Sequence, residues 1–192
     1  MHIKDWKKEV FTIPNLLSLF RILLIPVYIH IYLNANIEKD YQLAALILAV
    51  SCLTDSVDGK IARHLNQITN LGKLLDPVAD KLTQLAVTVC LSARYPALQM
   101  VLILFLIKET FQFFAMVSSL RKGKMLNGAL MSGKVCTTVL FLSLILLVLM
   151  PNIDPAWVHS IAILDSICLA VAFLQYFLAY YGKNTKVQDI ET

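Results

Sequence analysis

Four aspartates carry the strongest chemical pattern in this chain of 192 residues. Asp55 and Asp58 stand three positions apart, and Asp76 and Asp80 stand four apart. On helices, either spacing puts both carboxylates of a pair on one face. A short connection between the two segments lets the pairs face each other across antiparallel helices. Carboxylates converging in a half-dry site repel one another at neutral pH unless cations balance them. The set contains no His or Cys, so the expected ions are the hard, oxygen-seeking Mg²⁺ or Mn²⁺ rather than zinc. Helix capping is the competing explanation, because Asp76 followed by Pro77 has the form of a helix start. Capping accounts for one aspartate and leaves the paired spacings unexplained.

The residues between the pairs suit a phosphate. Gly59 removes a side chain beside Asp58 and lets a large group approach the backbone. Ala62 is small on the same side, and Arg63 offers a planar fork to phosphate oxygens. Gly72 opens the next helix. The chemistry implied is a phosphate-bearing substrate clamped by two metal ions at a membrane surface.

Read from Asp55, the stretch is D-S-V-D-G-K-I-A-R, then eight residues, then G-K-L-L-D-P-V-A-D. It resembles the signature of the CDP-alcohol phosphotransferases, D-x2-D-G-x2-A-R-x8-G-x3-D-x3-D, at all eight fixed positions over 26 residues. Flanking residues are similar to the phosphatidylglycerophosphate synthase branch of that family. They are Ile13-Pro14-Asn15-Leu16-Leu17, Arg21, Pro26, Asn66-Gln67, and the run from Leu75 to Lys81. The resemblance implies transfer of a phosphatidyl group from CDP-diacylglycerol to an alcohol, with release of CMP. By motif position, Asp55, Asp58, Asp76 and Asp80 would hold two divalent cations. Asp80 would also take the proton of the acceptor hydroxyl. Asp55, Gly59, Ala62, Arg63 and Thr69 would contact the cytidine nucleotide. A homodimer is implied as well.

These residues must be held by a scaffold, and composition says which kind. The chain is 58% hydrophobic and 16% charged, against about 25% charged for a soluble domain. Mean hydropathy is +0.68. A water-soluble globule of this size would have more apolar surface than it could hide. Six Gly and six Pro exclude collagen-like or low-complexity chains, and four Cys exclude a disulfide scaffold. Cys52, Cys90, Cys136 and Cys168 each lie in an apolar run and read as small hydrophobes.

The expected fold class is therefore all-α, a polytopic membrane protein with a six-transmembrane-helix bundle. Spans are expected over residues 15–33, 41–62, 72–93, 97–120, 132–150 and 156–181, within a single domain covering 1–192. Segment 1–13 reads as a short interfacial helix, with Trp6, Val10, Phe11 and Ile13 at near-helical spacing. Lys4, Lys7 and Lys8 ahead of an apolar run imitate a secretory leader. Arg21 and Pro26 interrupt it and no small-residue cleavage site follows, so the segment is expected to remain.

Charge sets the orientation. On the side of the termini lie Lys4, Lys7, Lys8, Lys60, Arg63, Lys73, Arg121, Lys122, Lys124, Lys134, Lys183 and Lys186. The other side has Lys39 and Arg94. The positive-inside rule then places both termini and the aspartate site at the cytoplasmic face of the cell membrane. The net charge of +4 reads as orientation and headgroup attraction, with no nucleic-acid partner.

The acceptor alcohol is less plainly written. Arg121 and Lys134 flank one loop and are expected to draw a phosphorylated acceptor such as glycerol 3-phosphate; orientation alone accounts equally well for Lys122 and Lys124. Two departures from the glycerophosphate pattern stand out. Lys108-Glu109 replaces an Arg-Glu pair, and Cys136 stands where a second lysine belongs. Lys108 and Glu109 read equally well as an intramembrane ion pair. Asp165, alone in the sixth span, is expected at the cavity or at a subunit contact. His64 adjoins the motif and reads as an interfacial polar residue.

Glycerol 3-phosphate is the favoured acceptor. The alternatives are serine, an inositol phosphate or phosphatidylglycerol. A cation transporter with the aspartates as its ion site is the competing class. Transport sites sit near mid-membrane between broken helices, whereas these carboxylates lie at expected cytoplasmic helix ends beside Gly59 and Arg63.

Overall fold

The computed structural model describes residues 12–64, 72–121, 124–126, 131–181 and 187–189. The helices there are α1 (Ile13–Leu33), α2 (Glu38–His64), α3 (Gly72–Arg94), α4 (Gln99–Arg121), α5 (Met131–Leu149) and α6 (Pro155–Tyr181). A single 3-10 turn, Pro96–Leu98, leads into α4. The interfacial segment expected over 1–13 lies outside the described residues up to position 11, and Ile13 already belongs to α1.

The helices follow the expected spans closely, but they differ in character. Asn15–Leu33, Pro96–Ser119 and Pro155–Tyr181 are long and apolar enough to cross a membrane, and Gly133–Leu149 is apolar but shorter. The chain is thus an all-helical integral membrane protein apart from two short strands. Helix α3 is less apolar because it carries part of the charged motif, and α2 carries the rest. Asp55, Asp58, Lys60 and Arg63 occupy the last turns of α2, and Lys73, Asp76, Asp80 and Lys81 the first turns of α3.

The chain divides into two compact units, Met1–Cys90 with Val148–Pro151 and Leu91–Leu147 with Asn152–Thr192. In the first, α1 packs on α2. Pro14 sits in the first turn of α1, where its missing N–H costs nothing. Ala44 and Ala45 are buried on α2, and such small residues let helices approach closely. Tyr28, Tyr32 and Tyr41 run across the contact with ring centroids 5.8 and 5.4 Å apart. In the connecting turn, the Asn36 and Ile37 amides donate to Asp40 Oδ2 at 2.9 and 3.2 Å. Those two bonds hold the Asp40 carboxyl below its ordinary range. Their hold on the turn is complete above the usual carboxylate range and fades as pH falls through the lowered value.

In the second unit, Phe111 of α4 meets Phe173 and Phe177 of α6 at 5.0 and 5.9 Å. Asp154 caps α6 by accepting the Ala156 amide at 2.7 Å, and Pro155 occupies the first helical position. Strands β1 (Lys124–Leu126) and β2 (Val187–Asp189) pair antiparallel, with Met125 opposite Gln188. The pairing brings β1, which follows α4, beside β2, which follows α6.

Asp165 takes neither of its expected positions. It is fully buried in α6 and accepts the Ser143 hydroxyl of α5 at 2.6 Å. A polar side chain inside an apolar bundle needs such a partner because no water is at hand. Ser143→Ala leaves the carboxyl without that donor and is expected to cost about 1–3 kcal/mol. A lowered melting temperature in lipid nanodiscs, with Ser143→Thr restoring it, is the outcome that checks this.

Candidate active site

Of the signature residues, the structure describes Asp76 and Asp80 in full. Helix α3 begins at Gly72, so Asp76 is not a helix start and Pro77 lies inside the helix. The capping explanation therefore fails for Asp76. Asp76 and Asp80 lie one turn apart on α3, and both are half-buried. Asp55, Asp58, Gly59, Ala62 and Arg63 lie on α2, of which the backbone alone is described at these positions. Thr69 falls outside the described residues.

Helix α1 supplies what the sequence reading missed. Asn15, Ser18 and Arg21 recur every third residue, and all three are buried within an otherwise apolar helix. Ser18 donates its hydroxyl proton to Asp76 Oδ1 across 58 positions of sequence. The Arg21 guanidinium lies 3.6 Å from the same oxygen, its side chain 2% exposed while that of Asp76 is 40% exposed. A guanidinium so deeply buried requires an anion, and Asp76 provides one. The clue in the sequence was the helical period of three polar residues inside a membrane span.

Below this contact, Arg21, Tyr28, Ser51 and Thr83 help line a narrow cavity of about 10 Å³ between α1, α2 and α3. That is about the room needed for one water molecule. The three helices therefore converge beside the aspartate motif. Two half-buried carboxylates one turn apart are donors of the kind a hard divalent ion takes. Among the described residues no group of three or more His, Cys, Asp or Glu side chains forms a metal cluster; Asp55 and Asp58 are the remaining members of the expected set.

In the second unit, Arg121 and Lys134 are exposed near the facing ends of α4 and α5, with no ion-pair partner among the described residues. Arg121 borders a surface groove of about 330 Å³ shared with Phe114, Val117 and Ser118. Lys108 is 3% exposed, sits 2.7 Å from Glu109 and lies over the Tyr176 ring at 5.6 Å. The ion-pair reading of Lys108 and Glu109 is therefore the observed one. Cys136 is 1% exposed and faces the interior, so a lysine there would be buried. Cys90 is likewise buried.

An integral membrane protein with a buried cation fixing one of four motif aspartates has the parts of a phosphate-transferring enzyme. The chain belongs to the CDP-alcohol phosphatidyltransferase family, whose model matches residues 11–179. It is 34% identical over 178 residues to the CDP-diacylglycerol–glycerol-3-phosphate 3-phosphatidyltransferases of Escherichia coli K12 and of Shigella flexneri serotype 5b. Those matches cover 88% of this chain and 93% of the relatives. It is also 39% identical over 116 residues to the CMP-forming cardiolipin synthase of Streptomyces coelicolor, covering 59% of this chain and 54% of that protein. The family resemblance drawn from the motif is thus borne out, and the chain is a transferase.

Close packing near Lys134 gives a test. A Cβ at Gly133 would lie 2.5 Å from the Tyr176 hydroxyl. Gly133→Ala is expected to lower stability by about 1–3 kcal/mol through overpacking. A double-mutant cycle with Tyr176→Ala, read from thermal unfolding, should show coupling between the two sites.

Proposed function

We propose that the chain transfers a phosphatidyl group from CDP-diacylglycerol to glycerol 3-phosphate, giving phosphatidylglycerophosphate and CMP. The observation that carries this is near-full-length similarity to transferases named for that reaction, with every signature position from Asp55 to Asp80 present. In this reading residues 1–192 form one domain with six spans, working as a homodimer. Both termini and the site face the cytoplasm, as the basic residues suggest.

Asp55, Asp58, Asp76 and Asp80 hold two divalent cations, Mg²⁺ or Mn²⁺. When bound, such ions supply neutralisation of the diphosphate and of the departing CMP. Asp80 accepts the proton of the acceptor hydroxyl. The hydroxyl oxygen attacks the lipid-linked phosphorus in line, and the bond from that phosphorus to CMP breaks. CMP leaves with the bonding electron pair. Asp55, Gly59, Ala62, Arg63 and Thr69 contact the nucleotide, where the small residues leave room and the Arg63 fork meets phosphate oxygens. Exposed Arg121 and Lys134 draw the acceptor's phosphate, an arrangement supported by their exposure at the ends of α4 and α5 that border one connection.

One observation favours a second acceptor. The similarity to a cardiolipin synthase, together with an interior Cys136 where a second lysine was expected, supports phosphatidylglycerol as the alternative.

The deciding experiment offers CDP-diacylglycerol with a panel of alcohols and identifies the lipid product. CMP release with glycerol 3-phosphate, lost on chelation and restored by Mg²⁺ or Mn²⁺, is expected. No CMP release with any alcohol, alongside uptake of divalent ions into vesicles, would favour a transporter instead. Asp80→Asn is expected to abolish turnover while largely sparing nucleotide binding, measured by calorimetry with CMP. Near-normal turnover in that variant removes the proton-accepting role.

A further inference from the structure

We infer that Ser18 and Arg21 of α1 are positioning residues that aim Asp76 at its cation. The inference rests on the metal reading above and extends it to a helix outside the signature. Both groups address one carboxylate oxygen. Ser18 donates to Oδ1, and the Arg21 guanidinium lies 3.6 Å from it. The contacts on Asp76 among the described residues thus converge on Oδ1, which leaves Oδ2 as the ligand oxygen. A carboxylate held at one oxygen loses rotational freedom before the ion arrives, and that favours binding.

Burial makes the arrangement stiff. Ser18 is 0% and Arg21 2% exposed, and Asn15 on the same face is 1% exposed. Neither of the two groups can swing away into water, and α1 and α3 are pinned together at the level of Asp76. Arg21 also carries a positive charge beside a cation site, so two opposite roles are physically open to it. A competitor would occupy Asp76 in place of the metal ion, and its removal would tighten metal binding. A positioning group would share Asp76 with the ion, and its removal would loosen binding. The convergence of both contacts on a single oxygen, backed by a neutral hydroxyl that cannot compete as a charge, supports the second.

The test titrates the full-length protein in nanodiscs with Mn²⁺ and follows the free ion by electron paramagnetic resonance, independently of turnover. Ser18→Ala and Arg21→Lys are each expected to weaken Mn²⁺ binding about 10-fold, the low end of the effect of losing a group that orients a metal ligand. The Mn²⁺ concentration for half-maximal activity should rise in parallel. Ser18→Thr, which keeps the hydroxyl, should restore both. Unchanged Mn²⁺ affinity in Ser18→Ala, or tighter binding in Arg21→Lys, overturns the assignment while leaving the metal site standing. An unaltered chain that binds no Mn²⁺ overturns the metal reading and this assignment together. Should Ser18→Ala fail to fold, the Ser18→Thr and Arg21→Lys titrations decide alone.

Discussion

A guanidinium that is 2% exposed inside an apolar helix needs an anion at hand, and Arg21 has Asp76. Much of the first unit depends on that requirement. It fixes the rotation of α1, because Asn15, Ser18 and Arg21 must turn inward while Leu16, Leu19, Phe20 and Leu23 face outward. It ties α1 to α3 at the level of the aspartates. In the same contact a stability requirement and a reactive group coincide, since the carboxylate that neutralises the arginine belongs to the motif. Removing Asp76 would take an anion from a cation that water cannot reach, so the contact matters more when broken than as a bond.

The second unit handles polar groups by a different rule. Asp165 is paired with Ser143, and Lys108 with Glu109 and the face of Tyr176. Each buried group finds a neighbour on its own or an adjacent helix, and none belongs to the signature. Arg121 and Lys134 remain exposed. The division is chemically sensible: charge that must be inside is matched, and charge that is free to meet an anion stays at the surface.

Helix positions were largely legible in the sequence, because a bilayer demands uninterrupted apolar runs and the breaks between them carry Asn, Pro and Asp. The motif was legible for the opposite reason, since ionisable residues at such places are rare. What escaped was pairing across distance. Nothing local to Ser18 or Arg21 names Asp76 as partner, and nothing local to Asp165 names Ser143. Those depend on helix rotation, which the near-uniform hydrophobicity of membrane helices encodes weakly. The strands escaped as well, because three residues are too few for a period of two to emerge.

That small ribbon has a consequence for how the chain tolerates change. Its register, with Lys124 opposite Asp189 and Leu126 opposite Val187, closes a loop containing all of α5 and α6. Were that register to shift by one residue, every strand side chain would turn to the other face. The ribbon thus couples two segments of sequence that flank two whole helices, and a substitution in either strand is felt by the other.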